Sequence, residues 1–314
     1  MGTPADGPAV ARALAWSDPA FASLGEGLGT LFSELIAAEC LNAGCIEDRF
    51  PSGNWSLAAV GASLFITDEA AKRFQEARAP RFAVALLSEM MAGRRDLHLG
   101  RAGIARANAE GRLNLFVIGF GVRPEQPSPE GFRILLARAI EHYVRAHEGY
   151  HLAALLREDA EPVASTLLGS GMRSLARFTI EDGPERVAMM RHRTDAMPLF
   201  PDSLTARFFA FSPPIIGFSD GERRLLLAAL EGHADPEIAA ALGLSQNTVK
   251  RVWRTIYERC DAMAPHVLEG TAASTAAGVR GAEKRRHLVA YLRDHPSELR
   301  PYAMAARLRT EAPF

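Results

Sequence analysis

The chain has 314 residues, of which 48% are hydrophobic and 23% charged, and its 36 Lys and Arg residues nearly balance its 37 Asp and Glu residues. This composition is typical of a globular protein of about two domains and excludes a disordered or fibrous chain. It also excludes a chain that is basic overall, so any affinity for nucleic acid has to come from a local cluster of charge.

The cysteine content and the apolar segments predict where the protein resides. Cys40, Cys45 and Cys260 are too few for a secreted disulfide framework and indicate a reducing compartment. No apolar run reaches the roughly 18 residues of a membrane span, and the first residues lack the pattern of a signal peptide. We therefore expect a soluble, cytoplasmic protein that makes no membrane contact.

Strands and helices alternate in the first part of the chain, and this alternation predicts an α/β domain around one sheet. The predicted elements are, in chain order, helix Phe21–Ala38 with Asp18 as its cap, strand Leu57–Thr67, helices Glu69–Glu76, Arg81–Met91 and Ile104–Ala109, strand Leu113–Val122, helix Glu130–His147, strand His151–Arg157, helix Ala160–Gly169, and strand Met172–Ile180.

Prolines and small residues divide the chain into domains. The fold class predicted is α+β, with an α/β sensory or assembly domain over residues 1–196 and an all-helical part after it. Four prolines mark a linker over 197–217, and a segment rich in Ala, Thr and Ser predicts a flexible connector over 271–281. The helical part then consists of a domain over 218–270 and a C-terminal extension over 282–314.

Local signals define three helices in the domain 218–270. Ser219 is a predicted N-cap of the first helix. Asp235 is predicted to cap the second, with a proline at its first position. Gly243 ends the second helix, and Ser245 caps a third that runs from Gln246 to about Arg259. Two helices joined by a short turn containing glycine predict a helix-turn-helix.

The third helix has two chemically different faces. Val249, Val252, Trp253 and Ile256 form an apolar stripe that we expect in the core. The other positions can hydrogen-bond to DNA, because Gln and Asn pair with adenine, Arg and Lys pair with guanine, and a small hydroxyl contacts phosphate. The predicted DNA-binding residues are Gln246, Asn247, Thr248, Lys250, Arg251 and Arg254.

The segment from Phe218 to Asp261 resembles the LuxR/NarL-type (GerE-like) helix-turn-helix, through its Glu-Ile-Ala-Ala-Ala-Leu-Gly-Leu-Ser and Asn-Thr-Val-Lys-Arg stretches. The resemblance implies a transcriptional regulator that binds double-stranded DNA as a homodimer, with RNA polymerase as a further candidate partner. It implies Lys250, Arg251 and Arg254 as DNA contacts. The match departs after Arg259, where the family has a Leu-Gly-Val turn before its fourth helix.

The order of elements from residue 113 to 180 resembles the later half of a GNAT acetyltransferase, and a PAS- or GAF-like sensor is a further alternative. A GNAT enzyme with an appended partner-docking domain is thus the competing function. Such enzymes bind coenzyme A through backbone N–H groups in a glycine-rich loop, whereas residues 123–131 of this chain contain three prolines. We therefore predict no enzymatic activity for this domain.

No nucleophile and base, and no metal-ligand set, stand out in the sequence. His142, His147 and His151 are close in sequence but lack further ligands around them. The prediction is accordingly no catalytic residue, no metal and no cofactor, with an unidentified small molecule or protein as the effector of the N-terminal domain.

Overall fold

The computed structural model describes residues 3–49, 55–123, 129–181, 183–195, 204–269 and 277–303. The chain divides into two compact units, Met1–Ala210 (unit 1) and Phe211–Phe314 (unit 2). The boundary falls within the segment 197–217 that the prolines of the sequence mark as a linker.

Unit 1 is a mixed α+β fold with one six-stranded sheet. Its helices are α1 (Gly7–Leu14), α2 (Glu26–Ala37), α3 (Asp68–Gln75), α4 (Phe82–Met91), α5 (Arg101–Glu110), α6 (Pro129–His147), α7 (Val163–Gly169) and α8 (Leu204–Phe209). Its strands are β1 (Leu41–Arg49), β2 (Trp55–Ile66), β3 (Leu113–Val122), β4 (Leu152–Ala160), β5 (Arg173–Ile180) and β6 (Gly183–His192).

The strands lie in the order β1-β2-β3-β4-β6-β5. Neighbouring strands are antiparallel except β3 and β4, which run parallel at the centre of the sheet. Parallel strands need a long crossover, and α6 lies within the connection that joins these two.

At the central strand β3, both faces of the sheet are buried. Successive side chains of a strand point to opposite faces, and in β3 Phe116 and Ile118 belong to one apolar core while Leu115 and Val117 belong to another. The first core also contains side chains of α1 to α4, and the second contains side chains of α5 to α8. This double burial explains why β3 is apolar along most of its length.

The sequence predicted the central strand correctly at both ends, and it missed β1, β6 and α1. The helix predicted over 21–38 is in fact two elements, a 3₁₀ turn (Pro19–Leu24) and α2. They are separated by Gly25, whose φ of 64° lies in the left-handed region that glycine adopts without strain. Asp18 does cap the first of them, since its carboxylate accepts a hydrogen bond from the backbone N–H of Ala20.

Unit 2 contains helices and no strand in the residues that the structure describes. The helices are α9 (Asp220–Leu230), α10 (Asp235–Leu242), α11 (Gln246–Met263) and α12 (Ala277–Asp294), with 3₁₀ turns at Pro265–Leu268 and Pro296–Leu299. Apolar side chains from all four helices form one core, including Leu225, Leu226, Ile238, Val249, Trp253, Ile256, Leu288 and Leu292.

The segments predicted as linker and connector contain regular structure. Helix α8 lies inside 197–217, and its Phe208 and Phe209 are buried in unit 1, while Ile216 is buried in unit 2. Helix α12 begins at Ala277, inside the predicted connector, and residues 270–276 lie outside the described part of the chain.

Candidate functional site

Helices α10 and α11 are joined by a three-residue turn whose geometry is set locally. Gly243 has φ 64° and ψ 33°, the left-handed conformation that ends α10. Ser245 then caps α11, since its hydroxyl accepts a hydrogen bond of 3.1 Å from the backbone N–H of Thr248. Both predicted turn residues are therefore found in their predicted roles.

One face of α11 is anchored in the core of unit 2. Val249, Ile256 and Cys260 are fully buried, and Trp253 is 5% exposed. Burial raises the pKa of the Cys260 thiol to about 12, so this cysteine is a neutral packing group at physiological pH. The prediction that Trp253 is a core residue is confirmed.

The opposite face of α11 carries the side chains predicted to contact DNA, and they form one exposed surface. Thr248 is the exception, because it is half-buried and its hydroxyl lies 2.9 Å from the hydroxyl of Ser245. The other five are exposed: Gln246, Asn247, Lys250, Arg251 and Arg254. We call these five residues the α11 face.

The three cations of the α11 face have no acidic partner among the described residues. Four other cations of unit 2 do have one, and among them Arg259, on the same helix, lies 3.3 Å from the buried carboxylate of Glu222. Charge on the α11 face is therefore not neutralised within the described part of the unit. Further pairs of unit 2 are Arg223 with Asp220, Lys284 with Asp261, and Arg285 with Asp235.

The predicted role of Asp235 is wrong. Helix α10 begins at Asp235 itself, so this residue is inside the helix, and its N-cap position is held by Ala234. The backbone N–H of Ala234 is bound instead by the carboxylate of Glu237, at 2.7 Å. The Asp235 carboxylate accepts hydrogen bonds from Trp253 and Arg285, contacts between distant residues that outweigh its local preference for capping.

The C-terminal part of unit 2 departs from the pattern that the sequence resembles. Helix α11 continues to Met263, beyond the point where the resemblance ends, and α12 follows a 3₁₀ turn. Leu288 and Leu292 of α12 are buried in the core, so this helix is part of the unit. Its described exposed residues are small or polar: Ala282, Arg286, Ala290, Arg293 and Asp294.

Unit 1 contains a buried polar cluster that the sequence did not predict. Asn42 of β1 lies opposite Ser63 of β2 in the sheet register, and both reach the imidazole of His147 on α6. The distances to His147 Nε2 are 2.8 Å from Ser63 Oγ and 3.2 Å from Asn42 Nδ2. Ser63 is 84 positions and Asn42 is 105 positions from the histidine in sequence, so no local motif predicts the cluster.

Hydrogen bonding defines the tautomer of His147. Its Nδ1 lies 2.7 Å from the carbonyl oxygen of Tyr143, which only accepts, so Nδ1 carries the hydrogen. In the neutral ring Nε2 then accepts hydrogen bonds from Ser63 and Asn42. A serine hydroxyl that donates to an imidazole is the geometry of an activated nucleophile.

The burial of this cluster limits its chemistry. His147 is fully buried and Ser63 is 1% exposed. The adjoining cleft between β1, β2 and α6 has room for about one water molecule. Burial also raises the pKa of Tyr143 to about 12, which keeps its hydroxyl protonated at neutral pH. In this conformation the cluster is a closed packing element.

Three other expectations from the sequence concern the coenzyme A loop, metal binding and membrane spans. Most of the proline-containing segment that replaces a coenzyme A loop, residues 124–128, lies outside the described residues. In the described ranges, no three His, Cys, Asp or Glu side chains come together as a metal site. Over the same ranges, no helix has both the length and the apolar character needed to cross a membrane.

A solved structure shows a weak likeness to this chain. No protein-family model matches the chain, and no curated protein matches it. The solved structures to which it is similar include that of FeeM, an N-acyl amino acid synthase from uncultured soil microbes. The two are 12% identical, the match covers 51% of this chain and 77% of that one, and the TM-score is 0.28. At this TM-score the likeness carries no conclusion about the present chain.

Proposed function

We propose that the protein is a transcriptional regulator whose unit 2 binds duplex DNA by inserting α11 into the major groove. One observation carries the proposal. The α11 face presents five exposed hydrogen-bonding side chains, three of them cations without an acidic partner in the described residues, on a helix whose other face is buried.

The dimensions of helix α11 agree with those of the DNA major groove. The major groove of B-DNA is about 12 Å wide and admits one α-helix. In a helix-turn-helix the N-terminal residues of the second helix contact the base edges. Gln246 and Asn247 occupy the first turn of α11, and Lys250, Arg251 and Arg254 follow on the next two turns. In the proposed complex the amides contact adenine, and the cations contact guanine or the neighbouring phosphates.

Electrostatics favours the same partner. Exposed cations on a surface without acids attract the phosphate backbone and release its counterions, which makes binding depend on salt. Glu258 is the only acid between residues 245 and 259. Thr248, whose hydroxyl lies beside that of Ser245, belongs to the first turn, where backbone N–H groups also attract phosphate.

Unit 1 is assigned a sensing or assembly role in this proposal, and the protein acts as a cytoplasmic homodimer. In this role the buried His147 cluster packs α6 against β1 and β2. Saturable binding of acetyl-coenzyme A with turnover would contradict the assignment and favour the competing acetyltransferase.

Selection from a library of random duplexes tests the proposal. The full-length protein is incubated with the library, and bound duplexes are sequenced over several rounds. We expect enrichment of one sequence motif by the wild type and loss of that enrichment in Lys250→Ala/Arg251→Ala/Arg254→Ala.

A matched control removes the same charge elsewhere. Arg106, Arg133 and Arg138 are exposed cations of unit 1, and Arg106→Ala/Arg133→Ala/Arg138→Ala is expected to enrich the same motif as the wild type. Equal enrichment by the wild type and both variants, or no enrichment by any of them, would contradict the proposal.

A further inference from the structure

Three helices of unit 2 meet at the carboxylate of Asp235, at the start of α10. Oδ1 of Asp235 lies 3.1 Å from Nε1 of Trp253 on α11 and 2.8 Å from Nη1 of Arg285 on α12. Nη2 of Arg285 also donates to the carbonyl oxygen of His233, at 2.5 Å. One guanidinium therefore holds the backbone and the side chain at the start of α10.

The same guanidinium lies over the ring of Trp253. Its central carbon is 4.9 Å from the ring centroid, within the range of a cation–π contact. Trp253 is thus held from two directions, through its N–H by Asp235 and on its ring by Arg285. The side chain of Arg285 is 26% exposed, so solvent screens these contacts only in part.

These contacts bear directly on the α11 face. Trp253 is adjacent to Arg254 in sequence and three residues after Lys250, so its position, together with the buried Val249, Ile256 and Cys260, sets the rotation of α11 about its own axis. Asp235 sets the position of α10 relative to the same indole. The pair of helices that enters and flanks the groove is therefore fixed by a side chain from a third helix.

We infer that Arg285 is a positioning residue of the DNA-binding surface, which it orders through Asp235 and Trp253 without touching DNA. The inference rests on the function proposed above. It extends that function to the C-terminal helix, which the sequence resemblance does not cover. Lysine cannot replace arginine here, because a single ammonium cannot bond the carboxylate and the carbonyl in the planar geometry of a guanidinium.

The test measures DNA affinity and its salt dependence for the full-length chain, with the duplex enriched by the wild type as the probe. Arg285→Met and Arg285→Lys are each expected to weaken binding roughly tenfold, the size of coupling found between residues of one hydrogen-bonded network. The slope of log K against log salt is expected to stay at the wild-type value, because no phosphate contact is lost. Arg293→Met, an exposed change on the same helix, is expected to bind like the wild type.

A double-mutant cycle separates positioning from general loss of structure. Asp235→Ala is combined with Arg285→Met, and circular dichroism at the assay temperature checks that each variant is folded. The double variant is expected to lose less affinity than the sum of the two single losses, because both changes break the contact between Arg285 and Asp235. Additive losses would overturn the inference. A slope whose magnitude decreases by roughly 0.9 would also overturn it, because it would make Arg285 a phosphate contact.

The failures of the two proposals are distinguishable. If the wild type binds no duplex, the proposed function fails and the positioning role fails with it. If the wild type binds and Arg285→Met binds equally well, only the positioning role is overturned. Full affinity in Arg285→Lys together with weak binding in Arg285→Met would show that charge alone matters, which also overturns it.

Discussion

The His147 cluster of unit 1 and the α11 face of unit 2 place polar side chains in opposite situations. Around His147, the hydroxyl of Ser63 and the amide of Asn42 bond to a fully buried ring. On the α11 face, cations as capable of hydrogen bonding lie exposed without acidic partners among the described residues. Polar groups satisfied inside the protein stabilise its fold, whereas those left outside can bind an external partner. The comparison therefore favours a stabilising role for the first region and supports the recognition role proposed for the second.

The largest expected effect is on the buried side of this comparison. His147→Ala removes the acceptor of two donors, Ser63 and Asn42, and leaves a void under α6. We expect the free energy of unfolding to fall by about 2–5 kcal/mol, since each buried group left unsatisfied costs about 1–3 kcal/mol. Urea unfolding followed by circular dichroism measures this change.

His295 supplies a matched control for that variant. Like His147, it has Nδ1 near the carbonyl oxygen of the tyrosine four residues earlier, at 2.9 Å from Tyr291, and its ring lies against that tyrosine. It differs in being exposed. His295→Ala is expected to change stability by less than about 1 kcal/mol, and equal losses in the two variants would remove burial as the explanation.

The next largest expected effect is on DNA affinity, at Arg254 of the exposed α11 face. Arg254→Ala is expected to weaken binding to the preferred duplex by about 1–3 kcal/mol if the guanidinium bonds a guanine. Stability should change by no more than about 0.5 kcal/mol, because the side chain is exposed and makes no internal ion pair among the described residues. An equal loss of affinity on all duplexes would reassign Arg254 to a phosphate contact, and a large loss of stability would contradict the comparison.

The smallest expected effect is on stability, at Ser245, the N-cap of α11. Ser245→Ala removes the acceptor for the backbone N–H of Thr248 and is expected to cost about 1 kcal/mol of stability. Ser245→Asn retains a capping oxygen and should stay within a few tenths of a kcal/mol of the wild type. Thermal unfolding of both variants tests this, and identical behaviour would mean that the cap contributes nothing measurable.

The sequence predicted those features that depend on neighbouring residues. Strand Leu113–Val122, the helix end at Gly243 and the caps at Ser219 and Ser245 follow from local patterns, and the structure confirms them. Strand β1 was missed because it includes glycine, Glu47 and Asp48, which do not form an apolar run.

Features that depend on distant residues could not be predicted in this way. Asp235 carries a local capping signal, yet its carboxylate bonds Arg285, 50 positions away. The His147 cluster depends on the register that places Asn42 opposite Ser63 and on the packing of α6 over both. Neither the register nor the packing can be inferred from any short stretch of the chain. By contrast, the residues of the α11 face could be named in advance because they share one helix, whose periodicity fixes their common side.

The central claim is that the cations of the α11 face bind DNA phosphates and bases. The most direct measurement is the slope of log K against log salt for a mixed duplex library, comparing the wild type with Lys250→Ala/Arg251→Ala/Arg254→Ala. The account predicts measurable wild-type affinity. It also predicts that the magnitude of the slope decreases by roughly 0.9 for each phosphate contact removed. A wild type and a triple variant with the same affinity and the same slope would contradict it.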